Sequence, residues 1–325
     1  MNLFLGVEIG GTKQQLAIGT AQGELLKVVQ GKFPLVRGAQ DILDWMRANI
    51  PPLLKDMPVK AMGIGFGGPL ESRTGRVLAS IQVPGWEDFK LREWFADTFG
   101  VPTYVINDTA AGGYAELLMG AGRQAKHFFY TNIGTGIGGV LFHGGELYDG
   151  LGFGASYLGN TYIPDWTGTR PGAVIRLENI CSGMHTEKRL RQPGYVPEDS
   201  LVYILSGKDP QKITNLMLEQ AVRENDVFAC AELERITRSF AIGLCNFMAV
   251  SPPDVIAIGG GVAKMGNLLF DRIRAYTEEY AFIANKGRYR IVQSELLDQA
   301  VLHGSVLFAA SEYRKAGQQK EGNSI

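Results

Sequence analysis

Apolar residues in the first third of the chain follow two rhythms. Leu3 to Ile9 is a short apolar run ended by Gly10-Gly11-Thr12-Lys13; a second stretch runs through Leu16-Ala-Ile18, and Gln22-Gly23 turns the chain into Leu25 to Val29. Three such runs divided by turn residues predict an antiparallel meander. Asp41 to Ile50 then places Ile42, Trp45, Met46 and Ile50 at helical spacing, and Pro51-Pro52 is expected to stop that helix. Ala61 to Phe66 reads as a buried strand feeding Gly67-Gly68-Pro69, Leu91 to Phe99 as a short helix ended by Gly100, and Thr103 to Ile106 as another strand. Strands alternating with helices predict an α/β lobe.

After a helical run from Thr109 to about Met119, the segment Lys126 to Ile133 begins a second copy of the opening. Phe4-Leu-Gly-Val-Glu-Ile-Gly-Gly-Thr and Phe128-Phe-Tyr-Thr-Asn-Ile-Gly-Thr-Gly are each an apolar strand ending Ile-Gly, then a glycine turn. Such a distant match suits a duplicated lobe rather than a solenoid repeat, although two unrelated glycine hairpins would look the same. Gly150 to Ser200 is rich in loop residues, where specificity often resides. Helices are expected from about Ile213 to Met248, a strand over Asp254 to Ile258, and a last helix from Gly304 to Arg314. The polar segment Lys315 to Ile325 should fray.

Composition narrows the class. At 325 residues the chain exceeds what one core usually serves, so two lobes are expected. A formal net charge of −1 without a Lys/Arg run gives no reason to expect a nucleic acid or an anionic membrane as partner. Cys181, Cys230 and Cys245 are too scattered for a disulfide framework and suit a reducing compartment. The opening residues lack the basic start of a secretion signal, and the uncharged stretch Phe128 to Gly145 is too glycine-rich for a membrane helix. A cytoplasmic protein is expected.

Four stretches carry candidate chemistry. Gly134, Gly136 and Gly139 fit the dinucleotide spacing GxGxxG, but Val140-Leu-Phe-His follows where that fingerprint needs a helix. The segment is then either a hairpin whose bare amides, with Thr135, approach phosphate oxygens, or a tight turn needing glycine for its shape. Gly10, Gly11, Thr12 and Lys13 offer amides, a hydroxyl and a cation to a phosphoryl group, with Glu8 placed to hold Mg2+ through water; a polar surface turn would have the same residues. Asn107 or Asp108 would cap the next helix, or Asp108 would take a proton from an attacking sugar hydroxyl that Asn107 orients. Gly259, Gly260 and Gly261 either admit a flat ring or ribose, or only pack a strand against a helix.

Together these stretches resemble the ROK family (repressor, open reading frame, kinase) of sugar kinases over nearly the whole chain. The matching residues are Glu8-Ile-Gly-Gly-Thr-Lys13 for the family's Asp-x-Gly-Gly-Thr-Lys, Gly68-Pro69, Gly75-Arg-Val77, Pro84-Gly-Trp86, Asn107-Asp108, Gly134-Thr-Gly-Ile-Gly-Gly139, Leu177-Glu-x-x-x-Ser-Gly183 and Ile258-Gly-Gly-Gly-Val262. The resemblance implies a two-lobed actin-like ATPase (ribonuclease H-like) α/β fold with duplicated mixed-sheet lobes and a cleft between them. One lobe would take residues 1–112 plus 301–325 and the sugar and phosphate; the other, 113–300, would take the nucleotide and the contacts of a homodimer. Asp108 would be the catalytic base, with Gly68, Gln82, Asn107 and Glu178 beside the sugar and the glycine stretches around ATP.

The departures from the family pattern fall on the sugar side. Ser156-Tyr-Leu-Gly-Asn160 stands where the family has Gly-Glu-Ile-Gly-His, so Tyr157 and Asn160 replace a sugar-binding Glu and a His shared with zinc. The Cys-x-Cys-Gly cluster is missing, so no structural zinc is expected. Gln82 replaces an Asn, and Gly67 a Pro. With no helix-turn-helix before Leu3, the repressor branch is not expected. The expectation is an ATP- and Mg2+-dependent kinase acting on a hydroxyl of a hexose or related sugar. Alternatives are a catalytically weak sugar-binding or regulatory protein, and a sugar kinase using polyphosphate.

Overall fold

The computed structural model describes residues 1–11, 13–32, 38–80, 83–166 and 172–322. Strand β1 (Leu3–Ile9), β2 (Lys13–Thr20) and β3 (Leu25–Lys32) form the expected meander. Helix α1 (Ala39–Asp56) leads to β4 (Ala61–Phe66); α2 (Leu91–Phe99) then leads to β5 (Thr103–Asn107) and α3 (Asp108–Met119). These strands make one sheet in the order β3-β2-β1-β4-β5. β1, β4 and β5 are parallel, in a register that aligns Ile9 with Phe66 and Phe66 with Asn107. The glycine turn after β1, the Gly67-Gly68 segment and Asp108 therefore leave the sheet at one end, where open α/β sheets take their ligands.

Further on come β6 (His127–Asn132), β7 (Gly139–His143), β8 (Glu146–Tyr148), the short helix α4 (Leu177–Cys181), α5 (Gly183–Leu190) and α6 (Val227–Val250). They are followed by β9 (Val255–Gly259), α7 (Asn267–Tyr280), β10 (Arg290–Gln293) and α8 (Ala300–Gly322). The second sheet runs β8-β7-β6-β9-β10, with β6, β9 and β10 parallel. That is the order of the first sheet again, so the opening pattern is repeated as a fold and not only as two similar hairpins. By compactness the chain forms one unit of residues 1–124, 140–155 and 298–325, and another of 125–139 and 156–297.

Two features shape the first sheet. Leu5, Val7 and Ile9 point to one face, where they join Ile42, Met46, Ile50, Phe66, Trp86 and Phe95 in a core beneath α1 and α2. On the other face Phe4 meets Val306, Ala309 and Ala310 of α8. That helix lies very close: a Cβ at Gly6 would stand 2.9 Å from the Leu302 carbonyl, and one at Gly63 or Gly304 would run into the backbone of Ser305 or Ala111. Glycine is needed there for the approach of main chain to main chain.

Several boundaries differ from expectation. α1 continues through Pro51 and Pro52 to Asp56. Each proline removes an amide donor, but the orphaned carbonyls of Arg47 and Ala48 lie on the exposed side where water can take their place, while Ile50 and Leu53 bury the other side. Within the segment read as loops, α4 and α5 form, α5 capped by Ser182, whose hydroxyl accepts from His185 N. α8 begins at Ala300 and holds its helical backbone to Gly322, so the expected fraying from Lys315 does not occur over those residues. Among the described residues no helix is long and apolar enough to cross a membrane.

Candidate active site

In the first unit, Asn107 ends β5 in extended backbone, and its Oδ1 accepts from Thr109 N at 3.0 Å and Ala110 N at 3.2 Å. The cap thus belongs to Asn107, whose Nδ2 also donates to Gly68 O at 3.1 Å. Asn107 alone takes Ala110 N, while the Thr109 amide is shared with Asp108. The Asp108 Oδ1 accepts from Thr109 N at 2.6 Å, and its Oδ2 lies 3.1 Å from where a Cβ on Gly67 would be. Gly67 N donates to Ile9 O at 3.0 Å, a bond a proline there would forfeit.

Burial pushes the Asp108 carboxyl from an ordinary 3.8 up to about 6; the Thr109 amide pulls it down and the nearby charge of Glu8 pushes it further up. A carboxylate so placed is a stronger base than one in water, yet is ionised at neutral pH. Burial also raises the Glu8 carboxyl, against the pull of the Lys13 cation and the Gln15 amide. Lys13 Nζ stands 3.6 Å from Glu8 Oε1, and Gln15 Nε2 donates to Glu8 Oε2 at 2.6 Å. The Gly10-Gly11 turn is held by Gly10 N donating to Lys13 O and by Gln14 Nε2 donating to Gly10 O at 2.7 Å. Thr12 and Gln82 lie outside the described residues.

In the second unit the glycine stretches meet. Ile133 N donates to Gly259 O at 2.9 Å and Val262 N to Ile133 O at 3.0 Å, while Gly183 N donates to Gly134 O at 2.7 Å. Gly260 has φ +86°, and a Cβ there would lie 2.5 Å from Ile133 O, so both its backbone and its surroundings require glycine. A strand follows Gly136 rather than a helix, and Thr135 is exposed. Glu178 Oε2 lies 3.3 Å from where a Gly136 Cβ would be. Its helix α4 is fixed by buried Arg189, whose Nη2 donates to Ile180 O at 3.1 Å and whose Nε donates to Glu232 Oε1 at 2.7 Å. Tyr157 and Asn160 flank a tight turn whose Gly159 is packed against the Ile137 backbone; Asn160 is exposed. The first unit therefore gathers Glu8, Gly10, Gly11, Lys13, Gly68, Asn107 and Asp108. The second gathers Gly134, Gly136, Tyr157, Asn160, Glu178 and the 259–261 glycines. Among the described residues no group of three or more His, Cys, Asp or Glu is placed to hold a metal ion.

The model of the ROK family matches residues 4–312. The chain belongs to the ROK family. Its similarity to other members spans kinases and repressors: it is 29% identical over 304 residues to a glucokinase of Thermotoga maritima, covering 93% of this chain and 95% of that one. It is 26% identical over 322 residues to a putative xylose repressor of a Caldicellulosiruptor species, covering 96% and 79%. The solved structure of a ROK glucokinase from Streptomyces griseus, in complex with glucose and AMPPNP, matches with a TM-score of 0.82 at 24% identity, covering 95% of this chain and all of that one. The duplicated mixed sheets are those of the actin-like ATPase fold of ROK kinases.

Sequence reasoning passed over Gln14, Gln15 and Arg189. The first two had a visible signal, since two adjacent glutamines at the head of an otherwise apolar strand are out of pattern. Arg189 had none, because its partner Glu232 is 43 residues away.

Proposed function

We propose that this ROK protein transfers the γ-phosphoryl group of ATP to a hydroxyl of a hexose or a closely related sugar. The observation that carries the reading is Asp108: a carboxylate at a helix start whose Oδ1 takes the Thr109 amide, whose Oδ2 is set beside the bare Cα of Gly67, and which burial lifts to about 6. Asp108 receives the acceptor hydroxyl's proton as bonding to phosphorus develops, and Lys13 and the amides of Gly10 and Gly11 offset the charge on the phosphoryl oxygens. Gly68 and Asn107 form the sugar side of the first unit, with Tyr157, Asn160 and Glu178 supplying further polar contacts. The amides around Gly134, Gly136 and Gly259 to Gly261 receive the nucleotide, with Thr135 at the rim. By this reading the first unit supplies the phosphate turn, Gly68 and Asn107, and the second supplies the nucleotide contacts together with Tyr157, Asn160 and Glu178. A homodimer and a cytoplasmic setting go with it.

Mg2+ fits Glu8 through water better than by direct ligation. One carboxylate oxygen is already committed to Gln15 and the other lies near Lys13, and a nucleotide-bound Mg2+ usually keeps several waters. When bound, the ion would neutralise charge on the β- and γ-phosphates. The reading is supported by the glucokinase relatives and is tested by ADP release across a panel of hexoses with ATP and Mg2+. Robust turnover with one sugar is the expected result, and absence of turnover with every sugar would refute it. The same panel run with polyphosphate decides the donor.

A further inference from the structure

Glu8, Gln15 and Gln30 sit directly opposite one another across β1, β2 and β3, on the sheet face that α8 covers. Gln15 is only 3% exposed in a strand whose following residues are apolar. Gln30 Nε2 donates to Gln15 Oε1 at 2.7 Å, and Gln15 Nε2 donates to Glu8 Oε2 at 2.6 Å. A carboxylate only accepts, so the orientation of the Gln15 amide is decided: nitrogen toward Glu8, oxygen toward Gln30. The other oxygen of Glu8 stands 3.6 Å from Lys13 Nζ, well beyond the usual 2.7–2.9 Å of a closed charge-assisted bond.

We propose that Gln15 is a positioning residue of the phosphoryl site: by holding one oxygen of Glu8, it stops that carboxylate from closing on Lys13 and so keeps the ammonium available to an incoming phosphate. The inference rests on the kinase reading of the β1–β2 turn and assigns that turn a residue outside its glycine motif. A largely buried carboxylate must be satisfied by something. With Gln15 present, a neutral amide from the next strand does so. Without it, Lys13 is the nearest donor, and Glu8 has the rotatable bonds to reach it. A cation locked in that pair would have to be released before it could meet the donor's phosphates.

Gln15→Leu suits the apolar strand and removes only the amide. A ligand-free crystal structure of that variant should show Lys13 Nζ drawn to about 2.8 Å from a Glu8 oxygen. An unchanged separation of 3.6 Å overturns the proposal, whatever the enzyme does with sugars. In solution the KM for ATP and the Kd for Mg-AMPPNP should each rise about five- to tenfold, the size of one ordinary hydrogen bond, with the sugar KM unmoved. In a Glu8→Ala background the same substitution should have no effect on donor affinity. An undiminished effect there, or an equal rise in sugar and donor KM, points to general damage and overturns the proposal. Gln30→Leu, on the exposed end of the row, should shift donor affinity in the same direction by a smaller factor, and carries the test should Gln15→Leu not fold. Wild-type protein that binds Mg-AMPPNP but turns over no sugar counts against the kinase reading and leaves the Glu8–Lys13 spacing to decide this one.

Discussion

The two sheets share a strand order but differ in charge. In each, the carbonyl that follows the first strand's apolar run accepts an amide from the segment after the fourth: Gly67 N to Ile9 O, and Val262 N to Ile133 O, both at 3.0 Å. In each, that segment opens with paired glycines. Around the first of these junctions stand Glu8, Lys13 and Asp108. At the second, the position matching Glu8 is Asn132, whose Oδ1 accepts from Gly138 N at 2.7 Å, and no Asp, Glu, Lys or Arg occurs from Phe128 to Gly145. One scaffold thus carries Glu8, Lys13 and Asp108 at its junction in one copy and, in the other, an uncharged glycine hairpin whose neighbouring carboxylate, Glu178, comes from a separate helix. What the copies share is the geometry of a tight junction; what separates them is where charge has been placed.

The largest effect expected from breaking this contrast is that of Asp108→Asn, which should lower kcat by about a thousandfold while Mg-AMPPNP binding, measured by calorimetry, changes less than about twofold. Loss of binding together with turnover would mean that the charged and neutral copies do not divide the work as described. Gly260→Ala comes next: forced into a left-handed backbone and against Ile133 O, it should destabilise the fold by about 2–3 kcal/mol in thermal or urea unfolding. Gly261→Ala, with no atom within 4 Å of the new methyl, should be nearly neutral.

The pH dependence follows from the same carboxylate. Because the Asp108 pKa is raised to about 6, kcat/KM should climb with a one-proton slope through that pH. Stability runs the other way. Between the ordinary value of 3.8 and about 6 the folded chain binds the proton more tightly than the unfolded chain, so this group's contribution falls as pH rises through that window. Asp108→Asn should therefore unfold at a higher temperature than wild type at pH 8, with the gap closing toward pH 4. The smallest effect sharpens the comparison from the neutral side. Asn132→Asp keeps the acceptor for Gly138 N but adds a negative charge, and should weaken Mg-AMPPNP binding about threefold while moving stability by less than about 0.5 kcal/mol.

Much of this was legible in the sequence because local pattern and global fold agree. Leu3 to Ile9 read as a strand, Gly100 ends its helix in the left-handed conformation, and the matching Ile-Gly turns suggested a duplicated lobe that the shared strand order bears out over two unrelated hairpins. The α1 boundary was misread because proline's local effect was weighed without the burial of Ile50 and Leu53, which holds the helix together on its other side. The division of labour between Asn107 and Asp108 was undecidable from the letters, since both residue types cap helices and only the backbone at the end of β5 determines which one does. Packing across distance, as in Arg189 with Glu232, leaves no local trace.

The close seating of α8 against Gly6 and Gly63 bears on how the polypeptide is made. The helix that covers one side of the first sheet is encoded after everything in the second unit, so that sheet's glycine-lined face stays open throughout synthesis of the intervening residues. The unit that begins first is thus finished last, and a ribosome stalled before Ala300 would hold a nascent protein with an uncovered apolar surface, a natural substrate for chaperones.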